Sequence, residues 1–89
     1  MIPIRLDLTT EKHTVSDRAV RISGVFINKD IVYAVQFYNG ASELHIVPAG
    51  MSAGEFMDFD NAEYRDGCNL SANASETGEI VVTYEEQVR

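Results

Sequence analysis

The chain has 89 residues, a net charge of −7 and a single cysteine, Cys68. That length allows one domain with one modest core, and one cysteine cannot form an intrachain disulfide to reinforce it. The acidic balance argues against gripping a phosphate backbone, which needs clustered Lys and Arg, and no stretch approaches the ~20 apolar residues of a membrane-spanning helix.

Residues 2–8 alternate with period two. Ile2, Ile4, Leu6 and Leu8 point one way, and Pro3, Arg5 and Asp7 the other, the pattern of a half-buried strand. Pro3 has no N–H to donate, which places this strand at a sheet edge. Residues 9–18 are polar and read as a connection. Residues 19–28 are β-rich again, with Gly24 breaking the alternation at a predicted bulge or bend. Asn28-Lys29-Asp30 reads as a short turn into 31–38, where Tyr33, Val35 and Phe37 share a face, so 19–28 and 31–38 are predicted to form a hairpin.

Asn39-Gly40 is the strongest turn signal. It leads into a strand at Glu43-Leu44-His45-Ile46-Val47 that ends at Pro48-Ala49-Gly50. Ser52-Ala53-Gly54-Glu55 has the form of a helix capping box. Gly54 in the would-be first turn favours a strand over a helix in 52–63. Asp66-Gly67 turns the chain, Cys68, Leu70 and Ala72 alternate, residues 73–78 form a polar loop, and Ile80, Val82 and Tyr84 mark a last strand before Glu85 to Arg89 trail off. About seven short strands at this spacing predict an all-β fold. It is a single antiparallel β-sandwich (jelly-roll-like) or a partly open barrel, spanning residues 1–89 as one domain.

The residues show little that looks catalytic. Cys68, in an alternating strand, reads as a buried structural thiol. His13 lies in the first polar connection, and His45, between Leu44 and Ile46, is predicted to face outward, so each reads as a surface histidine. Their sequence separation does not suit zinc. An EF-hand register starting at Asp58 fails, with Ala62, Glu63 and Asn69 at positions five, six and twelve. No Gly-rich phosphate loop is present. The aromatic residues sit mostly at core-facing parity, without the basic groove that single-stranded nucleic acid needs. No cofactor or metal is expected. The N-terminus lacks the basic start and apolar block of a leader, which points to folding in a cytoplasm.

Charge is unevenly placed. Residues 1–50 balance Asp7, Glu11, Asp17, Asp30 and Glu43 against Arg5, Lys12, Arg18, Arg21 and Lys29, whereas from residue 51 on nine acids face only Arg65 and Arg89. Asp58, Asp60, Glu63 and Asp66 read as a solvated acidic edge that discourages edge-to-edge aggregation or docks on a basic protein surface.

The segments Ser23–Asn28, Val35–Gly40, Ile46–Gly50, Asp66–Ala72 and Thr77–Glu85, with Phe59 between them, occur in an order that resembles small β-sandwich structural proteins of tailed bacteriophages. The likeness covers about residues 20–86 and leaves out the first strand. It implies a capsid decoration or cement protein, or a related virion accessory, made in the host cytoplasm. Such a protein has no enzymatic activity and binds capsid or other virion subunits as a homo-oligomer. The expected contact residues are Ile2, Ile4, Leu6 and Leu8, offered for strand pairing with a partner subunit, and the acids Asp58, Asp60, Glu63 and Asp66. The alternative is an acidic inhibitor or charge mimic, of anti-defence or immunity type, that blocks a basic site on another protein.

Overall fold

The computed structural model describes residues 1–10 and 12–86; of the stretch expected to trail off, Glu85 and Glu86 instead continue the last strand, and residues 87–89 lie outside the described residues. The described residues form eight strands: β1 (Ile2–Asp7), β2 (Lys12–Ser16), β3 (Val20–Lys29), β4 (Val35–Asn39), β5 (Ser42–Val47), β6 (Phe56–Tyr64), β7 (Cys68–Ser71) and β8 (Glu79–Glu86). They build two four-stranded antiparallel sheets, in the orders β1-β8-β3-β6 and β2-β7-β4-β5.

The pairing is nested: β1 with β8, β2 with β7, β3 with β6, and β4 with β5. A long hairpin folded over on itself gives this order, and it is the connectivity of an eight-stranded jelly roll. The inward faces supply the core, which includes Leu6, Leu8, Val20, Ile22, Val25, Ile27, Val35, Phe37, Val47, Leu70, Ile80 and Val82. The all-β sandwich, the edge position of the Pro3 strand, the strand assignment within 52–63 and the Asn39-Gly40 turn all agree with the sequence pattern.

Three expectations are corrected. First, 19–28 and 31–38 are not a hairpin, because β3 and β4 lie in different sheets. Residues 30–34 cross between the layers, and Ile31 is buried while Val32 and Tyr33 are exposed. Second, the polar stretch 9–18 contains a strand, β2, which pairs with β7 and buries Val15. Third, His45 faces inward. It lies opposite Phe37, and Val47 lies opposite Val35. Opposed residues of an antiparallel pair share a face, so Leu44 and Ile46 are the ones left 46% and 45% exposed.

Gly24 marks a register change in which three of the four strands of its sheet, β8, β3 and β6, take part. Inward positions on β3 run Val20 and Ile22, then Val25 and Ile27. β8 passes from Tyr84 opposite Ile22 directly to Thr83 opposite Gly24. β6 places three residues, Phe59 to Asn61, opposite the single Ser23. Asp60 and Asn61 make this possible at φ 55° and 53°, a left-handed conformation that Asp and Asn tolerate better than most residues. Asp58 Oδ1 accepts the Asp60 N–H at 2.7 Å and fixes the bulge. A Cβ on Gly24 would lie 2.2 Å from the Phe56 ring and 2.6 Å from Met57 O.

At the other end of the sandwich, Gly40 (φ 58°) stands first in the two-residue loop between Asn39 and Ser42, where a II′-type hairpin calls for Gly. Asn39 itself remains in the strand. Its Oδ1 accepts the Asp66 N–H at 2.7 Å, tying this hairpin to the β6–β7 turn.

All four odd-to-even connections cross between the sheets at one end of the molecule. Two of them, 30–34 and 72–78, meet on Glu76, which is only 2% exposed. Its Oε1 accepts the N–H groups of Val32 (3.0 Å) and Tyr33 (2.8 Å), and its Oε2 those of Thr77 and Gly78 (both 2.9 Å). Leu8 N–H donates to Gly78 O, and Ile31 N–H to Met51 O, which brings the other two crossings into the same cluster. Burial alone would raise the Glu76 pKa, but the four backbone donors outweigh it and the net shift is downward.

Two stability predictions follow. Gly24→Ala should destabilise the fold by about 1–3 kcal/mol, because the Met57 carbonyl cannot move aside as freely as a side chain, read as a lower urea midpoint at unchanged slope. Glu76→Gln replaces an acceptor-only group with one that presents its own N–H to N–H donors, and should cost about 2–4 kcal/mol. Because folding depresses the Glu76 pKa, its contribution is complete above the ordinary value of 4.5 and is lost as the pH falls below it. Urea unfolding between neutral pH and acid should therefore be flatter for Glu76→Gln than for the parent.

Candidate functional site

The eight predicted contact residues separate into two regions at opposite margins of the β1-β8-β3-β6 sheet. β1 is one margin and pairs with β8 of its own chain from Ile2↔Tyr84 to Asp7↔Glu79. Leu6 and Leu8 belong to the core at 8% and 0% exposure, and Ile4 packs against it. Only Ile2 is open, at 44%. Apart from Ile2, β1 offers a partner its unpaired backbone edge, since its inward side chains already serve this chain's interior.

The acids lie at the other margin, on β6 and the turn after it. Asp58 and Asp60 are exposed and shape the bulge described above. Glu63 sits between Arg21 (3.5 Å) and Arg65 (3.1 Å), so part of the expected negative edge is neutralised. Asp66 occupies the turn tied down by Asn39.

Behind β6 is a polar and aromatic cluster that sequence reading missed, in which a half-buried His45 meets the buried Phe37, Phe59 and Tyr64. The His45 ring stacks on Phe59 (centroids 4.3 Å apart, planes at 15°), and Phe59 meets Phe37 edge-on at 5.1 Å. His45 Nδ1 lies 2.6 Å from the Tyr64 hydroxyl. With the ring neutral and its proton on Nε2, Tyr64 O–H donates to Nδ1. Burial lowers the His45 pKa and raises that of Tyr64, which keeps both groups neutral. Burial also pushes the Cys68 thiol up to about 12, which keeps it protonated at neutral pH. The clue in the sequence was Val47: a buried residue two positions on puts His45, and not Leu44 or Ile46, on the inner face.

The aromatic residues divide. Phe37, Phe59, Tyr64 and Tyr84 are buried, whereas Phe26 (39% exposed), Phe56 (54%) and Tyr33 (39%) are not. Phe26 and Phe56 are cross-strand partners on the outer face of their sheet, and Val81 and Arg5 continue the same transverse row. On the outer face of the other sheet, an open groove of about 420 Å³ is lined by side chains of β2, β4 and β7, among them Lys12, Thr14, Tyr38, Asn69 and Ser71. Among the described residues, no three His, Cys, Asp or Glu side chains come together as a metal site would require. No family profile, curated protein or solved structure matches the chain.

The His45–Tyr64 contact predicts that Tyr64→Phe, which leaves Nδ1 without its donor, lowers stability by about 1–2 kcal/mol. Because folding depresses the His45 pKa, the folded state holds its full advantage above the ordinary value of 6.5 and loses it as the pH drops below that. His45→Asn should remove this slope, measured by urea unfolding at successive pH values above the range where carboxylates titrate.

Proposed function

We propose that this protein is a non-enzymatic structural component of a tailed-phage particle. It binds capsid or other virion subunits through the outer face of the β1-β8-β3-β6 sheet, and it associates with further copies of itself there. The observation that supports this reading is the row Val81–Phe26–Phe56, two solvent-exposed phenylalanines side by side across neighbouring strands with a half-buried valine beside them. Scattered exposed apolar residues are ordinary, but a contiguous set with aromatic members marks a surface that gains by being covered. At about 25 cal/mol per Å² of apolar area removed from water, two aromatic rings serve as anchors.

The jelly-roll architecture is compatible with this assignment. Viral capsid domains use it, but so do lectins and cupins, and fold does not choose among them. The weight therefore rests on the face. An apolar contact also differs from a charge mimic in its response to salt, since screening acts on exposed charges and not on buried hydrocarbon.

The test is co-sedimentation with the phage particle that encodes the protein. Binding should persist between about 0.1 M and about 1 M salt. The double variant Phe26→Ser, Phe56→Ser should lose it while keeping the β-sheet circular dichroism. Changing Asp58, Asp60 and Asp66 to Asn should leave it intact. Binding that collapses with salt and with the Asn variants, but survives loss of the two phenylalanines, would replace this reading with the acidic-inhibitor one.

A further inference from the structure

The groove on the outer face of the β2-β7-β4-β5 sheet has a simple origin in side-chain length. Register places Thr14, Asn69 and Tyr38 in one transverse row, and Lys12, Ser71 and Gln36 in the next. The inner strand β7 therefore carries short side chains, Asn69 and Ser71, flanked by Lys12 on one side and Tyr38 on the other. A trough of about 420 Å³ results, within the ordinary range for a small-molecule site.

Its chemistry is unusual for this chain. The protein carries a net −7, yet among the described residues the lining contains Lys12 and no carboxylate. Asn69 is positioned by its Nδ2, which donates to Gly40 O at 3.2 Å, leaving the amide oxygen available. Lys12, Thr14, Tyr38 and Ser71 use no side-chain polar atom in a hydrogen bond or ion pair with another described residue. His13 lies opposite the core residue Leu70, so its side chain belongs to the inner face and not to the trough, and its Nε2 is engaged by Thr10 O at 2.9 Å. The trough thus offers one cation, one amide, aliphatic and phenolic hydroxyls and one aromatic face.

We propose that this trough binds an acidic sugar: a pyranose ring bearing a carboxylate. An apolar ligand would leave these polar groups without partners, which disfavours it. A bare anion would use Lys12 and leave the hydroxyls, the amide and the tyrosine ring idle. A carboxylated sugar engages all of them. Its carboxylate meets the Lys12 ammonium, its hydroxyls exchange hydrogen bonds with Asn69, Ser71 and Thr14, and its C–H face lies against the Tyr38 ring, an apolar body with a polar tip. This site is separate from the Phe26–Phe56 face, on the other sheet, and stands or falls independently of the particle-binding reading.

The experiment is a titration of the isotopically labelled protein followed by amide NMR, with D-glucuronate, D-glucose and acetate as separate probes. Glucuronate should give saturable shifts confined to residues 12–14, 38–41 and 69–71, glucose weaker shifts at the same places, and acetate none that saturate in the same range. Lys12→Ala should weaken glucuronate about tenfold and leave glucose unchanged, and Tyr38→Ser should weaken both. Both substitutions are at the surface, and the dispersion of the amide spectrum reports whether the fold is kept. The proposal is overturned if no probe saturates, if the shifts map elsewhere, if acetate matches glucuronate, or if glucose does.

Discussion

The buried carboxylate of Glu76 is the contact on which the two-layer arrangement rests. A sandwich whose chain changes sheet repeatedly must leave peptide groups between the layers, and each needs a partner once water is excluded. Here two of the crossings converge on one side chain that can only accept. Four backbone N–H groups from 32–33 and 77–78 saturate it. Among the described residues no cation pairs with it, and the negative charge is held by dipoles that the fold has to orient in any case. Hydrogen bonds from Leu8 and Ile31 attach the remaining crossings to the same region, so the end of the sandwich where the sheets could splay is the one most heavily bonded.

Much of the architecture was legible in the residues because period-two alternation depends on burial on one face, and burial is what builds the sheets. The segments 2–8, 43–47, 68–72 and 80–84 carry that signal plainly. It fails where local pattern and pairing part company. Leu44 and Ile46 are apolar and exposed while His45 between them is stacked on Phe59, because the face of β5 is set by Phe37 and Val35 across the ladder. The segment 31–38 looks like one strand. It is a crossing followed by a strand, since the buried Glu76 supplies Val32 and Tyr33 with hydrogen bonds that a sheet neighbour would otherwise provide. β2 was hidden because only Val15 among its residues is fully buried.

The surfaces were less legible than the core. The four acids read as a charged edge, but in the structure two of them shape a bulge and a third lies between two arginines. The features that now draw attention, the Phe26–Phe56 pair and the trough along β7, are each made by residues distant in sequence that the register brings opposite one another. The Ser52–Glu55 segment shows the same limit on a smaller scale. One of its capping-box hydrogen bonds forms, Ser52 N–H to Glu55 Oε2, whereas the Glu55 N–H donates to the Ser52 backbone carbonyl and closes a turn. No helix follows, because Gly54 at φ 93° turns the chain into β6 instead.

The nested pairing has a consequence in time as well as in space. Among the described residues β1 has its sole ladder with β8, so it must wait for a strand made much later before it finds a neighbour. Contacts that join distant parts of a chain are formed slowly, because loop closure is costly before it is rewarded. During that interval the apolar side of β1 is open to water and to other nascent chains. Only the β4–β5 hairpin, at the centre of the nest, can close as soon as it is synthesised, so assembly is expected to begin in the middle of the sequence and proceed outward to its two ends.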